Sequence, residues 1–524
     1  MGGGLLQLVA YGAQDAYITG NPHITFWKVL YKRHTNFAME AFRVNFTGAP
    51  QYGQRVVAVI NRNADLMYKT YLEVQLPDTL TNNVKWTAAF ERRLGYQLLK
   101  KVEVEIGGQI IDTHYGEWLF LWENLTSGFD NSVKLDSMLG GYLGGTETTA
   151  VSCGGRPAIL YIPLQFWFCR NPGLALPLIA LQYHEVRINI TLSPATDLVS
   201  KGDQASVSAA AALLPQIKDM ALYIDYIYLD VDERRRFAQQ SHEYLIDQLQ
   251  FGLQQTLTTA SARIDLTLNH PVKELVWVFQ DARKTDCGSD LTSNMGFTQP
   301  FSYDDIVNRA RLQINGQDRF DERYGDYFWK VQPYQHHTGG AFWPMRAQVV
   351  SQNTVQFTYT CSVSGDVLTV TGTGTGVSPN TTNLTIVEGA TVQSLAAVVL
   401  APGTIISAFG TGSGLGGGTT YQLSEPALVN SSSFVATFTL PNVNYAPHAN
   451  PINVYSFALQ PEEHQPSGTC NFSRIDTTTL VFDSVTTAGV AKPTKSTPFN
   501  FRIYAVNYNI FRVMSGMGGL AYSN

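Results

Sequence analysis

The sequence predicts an all-β protein made of two similar domains, each a sandwich or a jelly roll. Many short alternating or β-branched apolar runs are bounded by turn residues, while long amphipathic helical patterns are scarce. A stretch that begins at residue 102 recurs at residue 310, so the chain contains an internal repeat. Charged residues make up only 15% of the chain and hydrophobic residues 44%, which favours a large core over solvated helix faces.

Seven runs in the first half have the pattern of strands, and three short segments have the apolar spacing of a helix. The predicted strands are Phe42 to Phe46, Arg55 to Ile60, Tyr68 to Leu76, Lys100 to Ile106, Ala158 to Phe168, Val186 to Leu192 and Ala221 to Leu229. The predicted helices are Trp86 to Leu94, Glu117 to Leu125 and Arg323 to Val331. Many short strands with few helices are typical of a sandwich or jelly roll.

The internal repeat predicts that the two domains share one architecture. Residues 102–120 (VEVEIGGQIIDTHYGEWLF) match residues 310–329 (ARLQINGQDRFDERYGDYFW), with one residue inserted in the second copy. Each copy contains a strand, a tight glycine turn, a short second strand and an aromatic helical turn. The matched pairs are Ile106 with Ile314, Gly108 with Gly316, Gln109 with Gln317, Asp112 with Asp321, Tyr115 with Tyr324 and Gly116 with Gly325.

The predicted organisation is an N-terminal arm (residues 1–24), a first β domain (25–235) and a second β domain (236–524). Residues 231–244 (VDERRRFAQQSHEY) are the most charged stretch and are expected to form a solvated linker held by local ion pairs, with a phosphate or nucleic-acid contact as the alternative. Residues 351–440, the insert, contain three charged side chains, 28 Ser or Thr and 12 Gly. Because strand sequences persist there, we expect a small Gly/Ser/Thr-rich β module inside the second domain.

The composition limits the function classes. A length of 524 residues corresponds to about three average domains, or to two large β domains with an addition. The net charge of −6 excludes a protein that works mainly by coating nucleic acid, so no specific nucleic-acid partner is expected. The 26 tyrosines, 27 phenylalanines and 8 tryptophans suit wide sheets and large contacts between subunits.

The cysteines and the N-terminus predict folding in a reducing cytoplasm. The five cysteines are widely spaced and form no CxxC pair, so neither a disulfide framework nor a zinc site is expected. The first 15 residues have neither a basic segment nor a continuous apolar core, unlike a secretion signal. The longest nearly apolar stretch, 395–409, is interrupted by Pro402 and Gly403 and is too short to span a membrane. The cysteines are Cys153, Cys169, Cys287, Cys361 and Cys470.

No catalytic, cofactor or metal residue is predicted, although three patterns were candidates. Glu103 and Glu105 lie on one side of a predicted strand, about 6.7 Å apart, a spacing compatible with glycoside hydrolysis. Alternation in VEVEI explains them more simply, with the valines inward and the acids in water. A GxGxxG match at Gly412, Gly414 and Gly417 lacks a following helix and a distant acid. The adjacent His336 and His337 are poorly placed to share one metal ion.

Glycosylation sequons are a further sequence feature. Seven occur, three of them in the Ser/Thr-rich insert, and without a secretion signal they need not meet the glycosylation machinery. If sugar is present, we expect it first on the insert. The sequons begin at Asn45, Asn124, Asn189, Asn380, Asn383, Asn430 and Asn471.

Long motifs in one order identify a family resemblance. They are the opening GGGLLQLVAYGAQDAYITGNPHITFWKVLYKRHTNFAMEAF, the paired GQ…YGEW and GQ…YGDYF elements, QPYQHHT, INVYSFALQPEEHQPSGTCNFSRID and the C-terminal FRIYAVNYNIFRVMSGMGGLAYSN. With these motifs the chain resembles the major capsid proteins of nucleocytoplasmic large DNA viruses. The resemblance covers nearly everything outside the insert, which departs from the family pattern by interrupting the second domain between QPYQHHT and INVYSFAL.

The resemblance implies two consecutive eight-stranded antiparallel jelly rolls, the insert lying in the second. It further implies a homotrimer that forms a pseudo-hexagonal capsomer and tiles an icosahedral virion capsid, assembled in the host cytoplasm, with neither enzymatic activity nor a cofactor. The implied partners are neighbouring capsomers, minor capsid and penton proteins, and an inner viral membrane beneath the N-terminal arm. Leu5 to Trp27 would lie on the inner side, while the insert, which carries or binds glycans in this hypothesis, would project outwards.

Two other functions remain open on the sequence alone. One is a minor capsid or spike protein of the same fold, which copy number in purified virions would distinguish. The other is a jelly-roll carbohydrate-binding protein or enzyme, for which the sequence offers only Glu103 and Glu105.

Overall fold

A computed structural model describes most of the two halves and parts of the insert. The described residues are 3–24, 26–27, 29, 31–76, 94–140, 152–153, 156–157, 159–198, 212, 214, 216–259, 261–282, 303, 305–339, 356–364, 366–370, 375–376, 391–394, 406–409, 420–423, 431–439, 451–484, 486–487, 490–491 and 498–522.

The described part of the chain contains 31 strands, numbered here in chain order. Those of the first half are β1 Phe37–Asn45, β2 Arg55–Ile60, β3 Leu66–Gln75, β4 Leu99–Ile106, β5 Gln109–His114, β6 Ser152–Cys153, β7 Arg156–Pro157, β8 Ile159–Pro163, β9 Leu176–Pro177, β10 Val186–Leu192 and β11 Asp219–Leu229. Those up to the insert are β12 His242–Leu257, β13 Ser261–Asp265, β14 Pro271–Asp281, β15 Val307–Ile314, β16 Gln317–Asp318 and β17 Arg323–Tyr324. The insert contributes β18 Gln356–Ser364, β19 Val367–Val370, β20 Thr375–Gly376, β21 Thr391–Ser394, β22 Ile406–Phe409, β23 Thr420–Leu423 and β24 Ser431–Thr439. The remainder are β25 Asn453–Ser456, β26 Cys470–Asn471, β27 Thr478–Ser484, β28 Thr486–Thr487, β29 Val490–Ala491, β30 Phe499–Met514 and β31 Met517–Leu520.

Each half is a pair of antiparallel sheets with the same strand order. In the first half the sheets run β1-β11-β3-β8 and β2-β10-β4-β5. In the second half they run β12-β30-β14-β25 and β13-β27-β15-β16, with β17 also on β15. The first strand therefore pairs with the last in both halves, as in a jelly roll. The predicted fold, two consecutive jelly rolls, is confirmed.

The repeated motif forms the same hairpin in both halves. Between β4 and β5 the turn residues Gly107 and Gly108 have φ values of +59° and +85°, and between β15 and β16 Asn315 and Gly316 have +49° and +78°. Two consecutive residues with positive φ form the tight hairpin turn that glycine and asparagine favour. The repeat noticed in the sequence is thus a structural duplication.

The helices are short and lie mainly at the ends of the sheets. They are α1 Gly3–Val9, α2 Ala16–Thr19, α3 Leu94–Leu98, α4 Gly116–Thr126, α5 Phe129–Met138, α6 Trp167–Arg170, α7 Val231–Gln239 and α8 Gln332–His336, with a π turn at Tyr327–Val331 and 3-10 turns at Pro172–Leu174, Ala195–Asp197 and Phe472–Arg474. None of the helices in the described ranges is both long and apolar enough to cross a bilayer.

Four sequence predictions of local structure compare with the structure as follows. The helix predicted at Glu117 to Leu125 is confirmed as α4, whereas the one at Trp86 to Leu94 lies outside the described residues except for Leu94. The helix predicted at Arg323 to Val331 is wrong at its start, because Arg323 and Tyr324 pair with β15 before the π turn begins. The strand predicted to reach Phe168 is wrong beyond Pro163. After Pro163 the chain turns into helix α6, Trp167–Arg170, which buries Trp167 and Phe168.

The charged linker is a helix tied to the first barrel. Arg234 of α7 places Nε 2.7 Å from Oδ1 of Asp65, a residue at the start of β3, and the backbone N–H of Leu229 donates to the other carboxylate oxygen at 2.9 Å. The expectation of purely local ion pairs is therefore wrong at this position. The long-range pair fixes the connection between the halves against the β1-β11-β3-β8 sheet.

The insert forms a sheet of its own in the order β21-β24-β18-β19-β23-β22, with β20 on β18. It follows α8 and precedes β25, so it lies in the loop that in the first half joins β5 to β8. Its first described residue, Gln356, is paired directly with its last, Thr439. The boundaries 25–235, 236–524 and 351–440 stay predictions.

Candidate functional site: the contact between the two barrels

The acidic pair Glu103 and Glu105 is not exposed to water, so that expectation is wrong. Their side chains are only 8% and 16% exposed. Lys101 Nζ lies 2.5 Å from Glu103 Oε1, and Asn189 Nδ2 donates to Glu105 Oε2 at 2.8 Å. Arg55 of β2 lies within 4 Å of both carboxylates, 3.6 Å from Glu103 and 3.8 Å from Glu105. The two acids hold β2, β10 and β4 together across the sheet.

The other sequence candidates supply no chemical site. Gly412, Gly414 and Gly417 lie outside the described residues. Within the described ranges, no group of three His, Cys, Asp or Glu side chains could hold a metal ion. His336 and His337 contact different partners. Nδ1 of His336 lies 3.1 Å from the Leu459 carbonyl oxygen, while the ring of His337 is buried between the carboxylates of Glu274 and Glu462.

The two barrels meet in an extensive contact within the chain. Strand β14 is buried along nearly its whole length, on both faces. Leu275 and Trp277 point into the second barrel, while Val276 and Val278 join the core of the first. The outer face of the β12-β30-β14-β25 sheet is therefore covered by the first half. The covering residues belong to β5 and α4, residues 109–126, called here the docking element.

Aromatic rings form the middle of this contact. Tyr115 and Trp118 of the docking element lie with ring centroids 6.4 and 5.5 Å from that of Tyr504 on β30. Tyr115 also lies 5.4 Å from Phe251 on β12. Such pairs stabilise beyond the area that they bury, by about 0.5–1.5 kcal/mol each.

A buried charge network lies beside these rings. Glu117 Oε1 accepts hydrogen bonds from Arg502 Nε at 2.9 Å, from Arg502 Nη2 at 2.6 Å and from Tyr303 OH at 3.0 Å. The Tyr504 hydroxyl donates to Glu117 Oε2 at 2.5 Å. Burial, reinforced by the Glu117 charge, raises the pKa of Tyr303 and Tyr504 well above the ordinary value. Both phenols therefore stay protonated and act as donors.

The free edge of β12 is capped by the same docking element. The backbone N–H of Leu249 donates to Asp112 Oδ1 at 3.1 Å, and Gln248 Nε2 donates to the Ile111 carbonyl at 2.5 Å. The bond to Leu249 occupies a backbone N–H group on the β12 edge, which could otherwise pair with a strand of another chain. Asp112, identical in the two repeats, thus has a definite role in the first copy.

A second network joins the end of α4 to the loop after β25. His337 places Nε2 3.0 Å from Glu274 Oε2 and Nδ1 3.0 Å from Glu462 Oε1. Burial alone would lower the pKa of His337, but the two carboxylates outweigh it and raise the pKa to about 9. The ring is therefore charged at neutral pH. Thr338 Oγ1 then donates either to Glu462 Oε2 at 2.7 Å or to the Thr126 carbonyl at 2.8 Å.

This second network explains two motifs whose roles the sequence left open. QPYQHHT contains His337 and Thr338, and the motif around PEEH contains their partner Glu462. The next residue, Gly339, donates its N–H to the Leu125 carbonyl at 2.7 Å, and a Cβ there would lie 2.6 Å from that oxygen. The motifs meet only because the chain folds, so spacing could not reveal the pairing.

A third charged group lies under the same loop. Lys273 is fully buried, with Nζ 3.2 Å from Asp247 Oδ2 and 4.9 Å from the centre of the Tyr508 ring. Arg170 lies 3.7 Å from the same carboxylate oxygen and stacks on Trp122 at 4.1 Å. Burial lowers the pKa of Arg170, although Asp247 opposes the shift. Each charge has a partner, as burial requires.

The N-terminal arm presents the most exposed apolar side chains of the described residues. Helices α1 and α2 bury no residue. Tyr17 of the arm is 91% exposed and Phe26, just after the arm, is 100% exposed, so these side chains are not covered within the described part of the chain. The other exposed large apolar residues between 3 and 31 are Leu5, Leu6, Leu8, Val9, Tyr11, Ile18, Ile24, Trp27, Val29 and Tyr31.

Three cysteines can be described, and all are free thiols. Cys169 and Cys361 are buried and Cys470 is partly buried. Burial raises the pKa of Cys169 to about 11 and that of Cys361 to about 12. Cys287 and the side chain of Cys153 lie outside the described residues, as do the sequons at Asn380, Asn383 and Asn430.

Comparison with known proteins gives one consistent result. Residues 25–230 match the family described as major capsid protein N-terminus, and residues 233–361 and 431–519 match the family described as large eukaryotic DNA virus major capsid protein. The chain is 42% identical to the major capsid protein of Pyramimonas orientalis virus and 34% identical to that of Paramecium bursaria Chlorella virus 1, each match covering 100% of both chains.

Solved structures agree with these relatives. A quasi-atomic model of the PBCV-1 virus capsid matches with a TM-score of 0.62 and 30% identity, covering 95% of this chain and 100% of that one. The Faustovirus major capsid protein matches with a TM-score of 0.60 at 11% identity, covering 96% and 94%, which is a likeness of fold.

Proposed function

The chain belongs to the major capsid protein family of large eukaryotic DNA viruses, and from this premise we propose that it is a non-catalytic building block that trimerises into a pseudo-hexagonal capsomer. It is a structural component of the virion capsid that assembles with neighbouring subunits. The observation that carries the proposal is the barrel contact: the Glu117 and His337 networks make one rigid two-barrel unit. A capsid lattice needs such units, because contacts repeated between copies require a fixed shape.

Gel filtration coupled to light scattering tests the trimer. Three chains of 57.9 kDa give about 174 kDa. We expect that mass at micromolar concentration across ordinary salt and pH. A monomer under all of these conditions would overturn the capsomer proposal.

The absence of catalysis is part of the proposal. It is supported by the engagement of Glu103 and Glu105 in ion pairs and hydrogen bonds that join strands. Incubating purified trimer with a panel of oligosaccharides tests it: we expect particles or trimers and no released sugar. Turnover that Glu103→Gln abolishes would favour the carbohydrate-active alternative.

We also propose that the arm, residues 1–24, lies on the inner side of the shell against minor capsid proteins or the inner viral membrane. Its exposed apolar side chains support this proposal, because contiguous exposed apolar surface marks an interaction site. Flotation with anionic vesicles distinguishes the two partners. Binding that is lost on deleting residues 1–24 supports the membrane, whereas pull-down of a purified minor capsid protein without flotation supports the protein partner.

Further proposals concern the insert, the partners and the site of assembly. The insert projects outwards, where it carries or binds glycans, and minor capsid and penton proteins are partners of the capsomer. Assembly takes place in the host cytoplasm. The free thiols of Cys169, Cys361 and Cys470 are compatible with that reducing compartment.

A further inference from the structure

The outer faces of the two four-stranded sheets β1-β11-β3-β8 and β12-β30-β14-β25 occupy equivalent places in the duplicated fold. In the second half this face is covered by the docking element. In the first half the equivalent face carries side chains that remain exposed, among them Met39 at 47% and Ile159 at 39%. One copy of a duplicated surface is thus occupied within the chain, while the other is only partly covered by the residues that the structure describes.

The strand register shows which residues correspond. Tyr223 on β11 pairs with Tyr71 on β3, and Arg502 on β30 pairs with Val278 on β14. Strands β11 and β30 are both second in their sheets, and aligning Met220–Leu229 with Phe499–Tyr508 places Tyr223 at the position of Arg502. The same register then places Asp225 at the position of Tyr504. Arg502 and Tyr504, which donate hydrogen bonds to Glu117 in the second half, therefore correspond to the polar residues Tyr223 and Asp225 in the first half.

The available face is aromatic and flat. The rings of Tyr71 and Tyr223 stack with centroids 5.2 Å apart and an interplanar angle of 4°, and Tyr161 lies 6.2 Å from Tyr71. These three tyrosines are partly exposed, and rings that are already ordered lose little entropy when a partner covers the rest of their surface. The open face, as used below, consists of Met39, Tyr71, Ile159, Tyr161 and Tyr223.

The edge of the available sheet also has a counterpart. Leu249, whose N–H is capped by Asp112, pairs with Val506 of β30. Its equivalent in β1 is Met39, which pairs with Ile227 of β11. Met39 thus occupies the position at which the docking element would cap the edge.

The second half has its own version of the docking element, and it is exposed. By the repeat, Asp321, Tyr324 and Asp326 correspond to Asp112, Tyr115 and Glu117. Tyr324 is 62% exposed and the side chain of Asp326 58% exposed. Residues 317–331 are called the free element. It retains Asp321 and Tyr324 and has the shorter acid Asp326 where the first repeat has Glu117. In the described part of the chain Asp326 pairs with Lys330 at 2.7 Å and Arg309 lies 4.8 Å from the centre of the Tyr324 ring, so these contacts would have to be shared with or exchanged for those of a neighbouring copy.

We propose that the free element of one copy docks on the open face of the next, repeating between chains the contact that joins the barrels within each chain. The inference rests on the proposed function, since it assigns the surfaces that build the trimer. In this contact Asp321 caps the edge at Met39, Tyr324 packs across β1 and β11, and Asp326 accepts from the phenol of Tyr223.

The proposal accounts for closure into a ring. The two surfaces differ, so the contact is heterologous and each copy offers one of each. Contacts of this kind form a closed ring when the rotation from copy to copy completes a turn. Each copy contributes two barrels, one contact between them and one contact to the next copy. Three copies therefore place six barrels in the ring with six similar contacts.

Two single variants test the surfaces. Met39→Asp places a carboxylate opposite Asp321, and Tyr324→Asp removes the aromatic ring of the free element. Both positions are exposed in the single chain, so the barrels should fold normally. We expect each variant to raise the apparent dissociation constant of the trimer by about 100-fold, as for a central interface residue. Val367→Asp, at a 40% exposed position of the insert, is the matched control and should leave the trimer intact.

Mixing the two variants distinguishes this contact from a general loss of structure. The Met39→Asp variant keeps an intact free element, and the Tyr324→Asp variant keeps an intact open face. In an equimolar mixture the free element of the first can therefore dock on the open face of the second, which is the one functional contact. We expect a dimer and no trimer, because the remaining surfaces of that dimer are both defective. Light scattering measures the mass, and circular dichroism checks that each variant is folded.

The outcomes separate this inference from the proposed function. Trimers of normal stability in both variants would overturn the assignment of surfaces while leaving the trimer itself in place. Folded variants that stay monomeric when mixed would overturn it as well. A wild-type protein that is monomeric would instead contradict the proposed function.

Discussion

Glu117 and Arg502 are 385 residues apart in sequence, yet one carboxylate oxygen of Glu117 accepts from both Nε and Nη2 of Arg502, at 2.9 and 2.6 Å. Their side chains are only 13% and 11% exposed. Burial alone would lower the pKa of Arg502, but Glu117, together with Tyr303 and Tyr504, outweighs burial and raises the pKa. Arg502 therefore keeps its charge at the centre of the barrel contact and depends on Glu117 for that.

Glu117→Gln is predicted to loosen the contact between the barrels. The amide removes the charge that compensates Arg502, and leaving one buried charge unpaired costs about 3 kcal/mol. Urea unfolding followed by tryptophan fluorescence should show this loss. Glu243→Gln is the matched control, because the Glu243 pair with Arg512 at 2.7 Å is half exposed and should contribute less than about 1 kcal/mol. Equal losses in both variants would contradict the prediction.

His337 is predicted to stabilise the protein below pH 9 and to lose that effect above it. Its pKa is raised from 6.5 to about 9 in the folded chain. The contribution of the protonated ring is therefore complete below pH 6.5 and disappears as the pH rises through about 9. The difference in unfolding free energy between wild type and His337→Gln should thus decline between about pH 6 and pH 10.

The control for His337 is its neighbour. His336→Gln removes a partly exposed ring that contacts only one carbonyl among its described hydrogen bonds, that of Leu459. We expect a small difference from wild type with no decline across the same pH range. A His337→Gln difference that stays constant with pH would show that the ring contributes by packing alone.

Gly325→Ala is predicted to damage the second barrel. A Cβ at residue 325 would lie 2.1 Å from the Val307 carbonyl oxygen, and backbone cannot move aside easily. Gly116 in the first repeat has the same restriction, with its Cβ position 2.1 Å from the Tyr96 carbonyl oxygen. We expect a loss of about 3 kcal/mol. Thermal unfolding measures it, and Gly128→Ala, with φ −65° and open space around it, should be nearly neutral.

The sequence predicted the duplicated architecture well but not its contacts. Strands Arg55–Ile60 and Val186–Leu192 were predicted to the residue, because alternation and turn residues are local signals. The burial of Glu103 was not predictable, since Arg55, one of the cations that cover it, lies on another strand. Nor was the role of His337, whose partners Glu274 and Glu462 come from distant segments. Local pattern defines strands, whereas charge pairing depends on topology.

The insert is predicted to be dispensable for the capsomer. Its first and last strands in sequence, β18 and β24, pair antiparallel, and Gln356 lies directly opposite Thr439. Directly opposed residues have Cα atoms about 5 Å apart, so a short loop can replace the whole module without moving β25 or α8. Replacing residues 351–440 with a short Gly/Ser loop should therefore leave the trimer intact.

Light scattering should then report a trimer of lower mass, and averaged micrographs should show the same barrel spacing with less density on the outer side. Replacing Gln109–His114, the β5 segment of the docking element, with a Gly/Ser loop is the contrasting variant. It removes the Asp112 bond to the edge of β12 and should abolish the trimer. Loss of the trimer on removing the insert, or insert density on the membrane side, would show that the module belongs to the assembly contacts instead.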